Sequence, residues 1–216
     1  MLIGLKHDEV LFLAAYLRRL TNWDERTAVR VQARGNSLGV YGPPPMGVLS
    51  LIVVPIQSAS DAELDRVVSA GRLRDIIGDV SNISADAVFE MNIPEAVTGP
   101  PSLAMLPPRE GWHPPVHAMA GDLVADIDAS IKALNQRTNG TIEPFARQIA
   151  EDVWANQGWG ALPQRALHAA RQLGFLGHPG ARIQASVNGT WKRLISPSGQ
   201  IFVHVESSIP GLRIVR

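Results

Sequence analysis

Leu162 to Val205 reads LPQRALHAARQLGFLGHPGARIQASVNGTWKRLISPSGQIFVHV, and two periodicities divide it. Pro163 suits the first turn of a helix, where its missing N–H has no partner to lose. At about 100° per residue, Leu162, Ala166, Leu167, Ala169, Ala170, Leu173 and Leu176 fall on one side. Gln164, Arg165, His168, Arg171 and Gln172 share the other, with no acid among them. Gly177-His178-Pro179-Gly180 stops the helix. The period then changes to two. Ile183, Ala185 and Val187 alternate with Arg182, Gln184 and Ser186, giving one apolar and one wet face. Asn188-Gly189 signals a two-residue hairpin turn, with Trp191, Arg193 and Ile195 on the return strand. Ser196-Pro197-Ser198-Gly199 makes a second turn, and Ile201, Val203 and Val205 a third strand. The stretch is a helix followed by an antiparallel meander.

Before this stretch the chain predicts a second layer. Asp8 to Leu20 is an amphipathic helix with Val10, Leu13, Ala14, Leu17 and Leu20 inward. Ala28 to Arg34 alternates as a strand, Ser37 to Tyr41 follows after a turn, and Val48 to Ile56 is apolar enough for a central strand. Asp61 to Ile77 reads as a helix capped by Ser60, and Ala87 to Ile93 as an edge strand. Seven prolines fall within residues 94–116, but Leu103, Met105, Leu106 and Trp112 are too apolar for a free tether. The segment is expected to pack where the halves meet. Asp122 to Leu134 is a helix, and Thr141 is expected to cap another with Phe145, Ile149 and Val153 inward. Ile209 to Val215 is a candidate last strand. The fold class is therefore α+β. Its expected parts are an antiparallel sheet with flanking helices over 1–97, a packed crossing segment over 98–117, and three helices plus a β-meander over 118–216. Three helices, a Gly-containing turn and a hairpin resemble a winged-helix arrangement over roughly 122–206. That resemblance puts residues 163–176 in the recognition-helix position.

Composition narrows the function. Net charge is zero, but residues 1–120 carry 10 basic and 13 acidic groups, and residues 121–216 carry 10 and 7. From Gly160 onward seven basic residues face Glu206 alone, which points to an anionic partner surface. With no cysteine, disulfides and thiolate chemistry are excluded, and a cytoplasmic setting is expected. The apolar run Val48 to Ile56 is too short to span a bilayer, so no membrane association is expected.

Candidate chemistry is sparse. Gly35-Asn36-Ser37-Leu38-Gly39 matches the nucleophile-elbow pattern, which needs a helix after the serine. Val40-Tyr41-Gly42-Pro43-Pro44-Pro45 cannot form one, so Ser37 is read as part of a hairpin turn. His113 and His117 are separated by two prolines that forbid the helical alignment a metal would need. Asp122, Asp126 and Asp128 read as a solvated helix start. No catalytic residue, metal ligand or cofactor is assigned. The expected function is a non-enzymatic, soluble binding or adaptor protein. Its candidate partner-binding residues are Arg165, His168, Arg171, Arg182 and Arg193, with a protein as the first candidate partner and nucleic acid as the second. The alternative is an enzyme or small-molecule-binding protein with a pocket at the junction of the two halves.

Overall fold

The computed structural model describes residues 1–61, 63–78, 87–113 and 115–205. The expected strand over Ile209 to Val215 lies outside them. Strands β2 (Ala28–Arg34), β3 (Ser37–Gly42) and β4 (Leu49–Pro55) form one antiparallel meander. Strands β9 (Arg182–Asn188), β10 (Trp191–Ser196) and β11 (Gly199–His204) form another. The two join edge to edge: β4 pairs with β11 through Leu51–Gln200, Ser50–Ile201 and Leu49–Phe202. With β6 (Glu63–Ser69) on the outside of β2 and β8 (Val116–Met119) on the outside of β9, eight strands make one sheet. Its order is β6-β2-β3-β4-β11-β10-β9-β8, with β4 in the middle as its Val- and Ile-rich sequence predicts. A three-stranded sheet of β5 (Ser58–Ala59), β1 (Leu2–Leu5) and β7 (Phe89–Asn92) caps the N-terminal end, with β7 on its edge as expected.

Helices cover one face of the large sheet. Helix α1 (His7–Trp23) buries Val10, Leu13, Tyr16, Leu17 and Leu20, following its 3.6-residue apolar spacing. Helices α3 (Ala120–Thr138), α4 (Glu143–Ala155) and α5 (Gln164–Gln172) belong to the C-terminal half. The expected inner face of α5 is buried throughout: Leu162, Ala166, Leu167, Ala169, Ala170, Leu173 and Leu176. Helix α5 ends earlier than Gly177. Leu173 is its cap and Gly174 takes φ 78°, a value that an L side chain rarely adopts. The Phe175 N–H reaches the Ala170 carbonyl and the Gly174 N–H that of Arg171, which satisfies two carbonyls at the helix end. One continuous core runs from Ile3 through α1, β2 to β4 and α5 to Val203.

Five expectations need correction. The helix expected over 61–77 is a strand followed by a short helix, α2 (Ala70–Ile77), capped by Ser69 and not Ser60. Glu63 and Asp65 stand opposite Arg34 and Gln32 of β2, and ladder pairing with a basic strand outweighs the helical spacing of Leu64, Val67 and Val68. Thr141 does not cap α4; its hydroxyl donates to the Arg137 carbonyl at the end of α3. Phe145, Ile149 and Val153 are not core residues, since α4 has no fully buried side chain and Phe145 is 58% exposed. The winged-helix order of three helices and a meander is present, but the meander is no wing. Its strands lie inside the eight-stranded sheet and β11 is joined to β4. The hairpin loop is Gly189-Thr190, one residue beyond the expected Asn188-Gly189, because Asn188 and Trp191 still pair. Gly189 supplies the positive φ, 56°, at the first loop position.

Candidate functional site

The face of the sheet away from the helices carries a second apolar layer. Pleating sends Leu49 and Leu51 of β4, Trp191 and Arg193 of β10, and Phe202 and His204 of β11 to this side. The proline-rich segment crosses over them. Leu103 is 1% exposed, and Val97, Leu106 and Trp112 pack against the same cluster. Arg30 holds the segment down: Nη1 donates to the Leu103 carbonyl at 2.8 Å, while Nε and Nη2 grip both oxygens of Asp65 at 2.7 Å. That bidentate bond keeps the Asp65 carboxyl below the usual carboxylate range, against a smaller opposing effect of burial. At the other end the Arg193 guanidinium lies 4.1 Å over the Trp112 ring, which in turn sits 6.0 Å from Phe202.

Beside the crossing segment is a pocket of about 170 Å³. Its walls come from three parts of the chain: Pro43, Pro44 and Val48 of the β3–β4 loop, Met105 of the crossing segment, and Trp191, Phe202 and His204 of the meander. It therefore lies at the junction of the two halves. The walls are mainly apolar, and Met105 is 54% exposed at the rim. His204 lies with Nε2 2.9 Å from the Thr190 hydroxyl and its ring edge-on to Trp191. Ser102 also lines the pocket, but the partner of that nitrogen is Thr190. Such an arrangement can bury an apolar side chain.

The five basic candidates are not brought together. Arg165, His168 and Arg171 lie on α5, on the helix-covered side, whereas pleating puts Arg182 and Arg193 on the opposite side of the sheet. The polar face of α5 is turned towards α3 and α4 and is not a free surface. Arg171 pairs with Asp128 of α3 at 3.2 Å through two nitrogens. The His168 ring packs against Trp154 of α4, 4.6 Å between centroids. Burial holds His168 below the ordinary histidine value, and Asp128 pulls it partly back. Arg193 is committed to Trp112 and to the Ser186 hydroxyl. Arg182 is exposed.

The rejected motifs have structural places. Ser37 opens β3, a strand, with its side chain exposed. His117 lies on β8, and no group of three metal-binding side chains occurs among the described residues. Asp122 accepts from the Met119 N–H at the start of α3. The alternative reading expects a pocket at the junction of the halves but names none of its residues. A signal was available: Trp191, Phe202 and His204 occupy the alternate positions that a one-faced meander leaves wet, so this meander is apolar on both sides.

Comparison with known proteins bears on the fold. Residues 6–97 match the model of a domain of unknown function, DUF8010, and residues 107–208 that of another, DUF8185. No curated protein matches the sequence. Among solved structures, the DNA polymerase sliding clamp of Pseudomonas aeruginosa superposes with a TM-score of 0.56 at 12% identity, over 98% of this chain and 66% of that one. The Caulobacter crescentus pol III beta gives 0.58 at 13% identity, over 98% and 67%. The Helicobacter pylori beta clamp bound to a DNA ligase peptide gives 0.52 at 13%, over 94% and 66%. The chain thus spans about 66% of the length of the first of these clamps. At these identities the shared property is the fold, an α+β sliding-clamp-like arrangement.

Proposed function

We propose that this chain is a non-enzymatic binding or adaptor protein that takes a short apolar peptide segment of a protein partner in the junction pocket. The observation that carries the reading is the pocket between the β3–β4 loop, Met105 and the Trp191–Phe202–His204 surface. A rigid sheet supports it, a crossing segment pinned by Arg30 flanks it, and its walls suit an apolar anchor. The H. pylori clamp of similar fold is described with a bound DNA ligase peptide, which adds support for peptide capture on this architecture. A protein partner is favoured over nucleic acid because the basic candidates are divided between two sides of the sheet, and phosphate binding needs cations on one surface. No helix among the described residues is long and apolar enough to cross a membrane, and a cytoplasmic setting goes with the proposal.

The test is a selection of displayed random peptides on the intact protein, with Met105→Glu as the counter-target. Peptides with a bulky apolar anchor should be enriched and lose roughly tenfold or more in affinity on the variant, as expected when a charge enters an anchor pocket. Absence of enrichment, or peptides that bind both proteins equally, would remove the pocket from the reading.

A further inference from the structure

We infer that a second cleft, on the helix side of the sheet and separate from the junction pocket, binds a doubly charged phosphate group. The argument begins with a misplaced lysine. On β10 the inward positions are Lys192, Leu194 and Ser196, and Lys192 stands between Val187 of β9 and Val203 of β11. An ammonium on the apolar side of a sheet forfeits hydration that its neighbours cannot replace. Its recorded hydrogen bond is to the carbonyl of Ala161. A neutral carbonyl orients the ammonium but leaves its charge uncompensated.

The loop supplying that carbonyl is held in an unusual shape. Gly160 and Ala161 have φ of 63° and 59°, and Ala161 is the one non-glycine residue with positive φ among the described residues. A left-handed alanine costs about 1–2 kcal/mol and persists where its surroundings fix it. They do so here: the Gly158 N–H bonds the Leu162 carbonyl, and the Gln164 N–H bonds that of Asn156. A Cβ at Gly160 would strike Ala185, so the loop presses directly on the sheet.

Arg165, on the first turn of α5, completes the site. It and Lys192 line one cleft of about 200 Å³, with Gln157 as a further polar wall and Ala155, Ala161 and Pro163 as apolar ones. The Arg165 Nε is buried and has no hydrogen-bond partner among the described residues. Neither cation appears in an ion pair there, although Arg30, Arg34, Arg74, Arg147 and Arg171 all do. Two cations, one a planar donor and the other a point charge, face a cleft with no acid among its described lining residues. A phosphate monoester or inorganic phosphate matches both the charge and the donor geometry. The inference is independent of the peptide pocket, which lies on the opposite face and shares no residue with this cleft.

The experiment is a ³¹P NMR titration of inorganic phosphate and of ribose 5-phosphate with the full chain, at constant ionic strength set with chloride. Saturable broadening is expected, with tighter binding of the ester if the natural ligand carries its phosphate on an organic body and equal binding if it is free phosphate. Lys192→Met, which suits the apolar face, and Arg165→Gln should each weaken binding roughly ten- to a hundredfold, the loss of one charge-assisted hydrogen bond. A wild-type titration without saturation overturns the inference, even if a variant fails to fold. So does affinity that both folded variants retain.

Discussion

The N-terminal and C-terminal meanders are two versions of one arrangement, back to back across the β4–β11 seam. In each, a helix covers a three-stranded antiparallel unit whose outer strand takes a further partner, β6 on β2 and β8 on β9. They differ in the size of the residues that close them. Helix α1 fills its side of the sheet with leucines, a valine and a tyrosine, whereas α5 presents three alanines and Leu167. Small residues let α5 lie close to the strands but cannot cover the sheet, so α3 and α4 are added, and α4 has no fully buried side chain. The closed half is built for stability. The loosely closed half contributes Trp191, Phe202 and His204 to the junction pocket and all the walls of the second cleft.

Matched truncations in the two halves test that contrast most severely. Leu13→Ala in α1 removes a fully buried side chain and should cost about 2–5 kcal/mol. Phe145→Ala in α4 removes a larger side chain that is mostly exposed, and should stay within about 0.5 kcal/mol. Urea midpoints of the two variants decide it. Comparable losses would mean that α4 is as integral as α1, and the contrast would fail.

The seam offers a smaller test. Tyr16 of α1 reaches across to Ser50 of β4, with 2.7 Å between hydroxyls, and its ring stacks 6.3 Å from Phe175 of the C-terminal half. The Ser50 hydroxyl also donates to the Gly42 carbonyl at 2.9 Å. Burial pushes the Tyr16 phenol up, despite the bond to Ser50, so it stays protonated and needs its partner. Ser50→Ala should cost about 1–3 kcal/mol, because a fully buried hydroxyl loses its shortest hydrogen bond and keeps a 3.4 Å contact with the Val40 carbonyl. Tyr16→Phe should cost less, about 0.5–1.5 kcal/mol, since Ser50 retains Gly42. Thermal unfolding of the two variants gives the order, and the reverse order would remove Tyr16 as the group that depends on this bond.

How much of this was readable follows from which signals are local. The meander, its turns and the inner face of α5 depend on period and on turn residues, and Ile183, Ala185 and Leu167 are buried as their spacing requires. Leu64, Val67, Val68, Leu73 and Ile76 fit a helix, although Glu63–Ser69 is strand β6. The deciding contacts, Glu63 with Arg34 and Asp65 with Arg30, come from a strand about thirty residues earlier. The basic face of α5 was legible as a pattern but not as a location, because solvent and a packed helix such as α4 both accept His168 and Arg171. The junction pocket needs Pro43, Met105 and Phe202 together, and only the pairing of β4 with β11 brings them there.

The weakest expected effect lies among the side chains at which α3, α4 and α5 meet. Helices α3, α4 and α5 meet through Asp128, Trp154, His168 and Arg171. Arg171 and Asp128 are 37% and 49% exposed, so their pair should contribute no more than about 1 kcal/mol in a double-mutant cycle. His168 has its folded pKa depressed by burial, so the folded state prefers the neutral ring. The sign then follows from linkage: this contribution is fully present above the unfolded value of about 6.5 and is lost as pH falls towards the lower folded value. Asp65 is depressed as well, but from the carboxylate range, and acts only at more acid pH. Wild-type protein should therefore lose a little stability between about pH 7.5 and pH 5.5, and His168→Gln should lose less. Hydrogen exchange should show the loss in α4 and α5 before α1, because the ring packs on Trp154. Equal slopes for wild type and variant would show that His168 is not the group titrating, and exchange rising first in α1 would overturn the division into a closed and a loosely closed half.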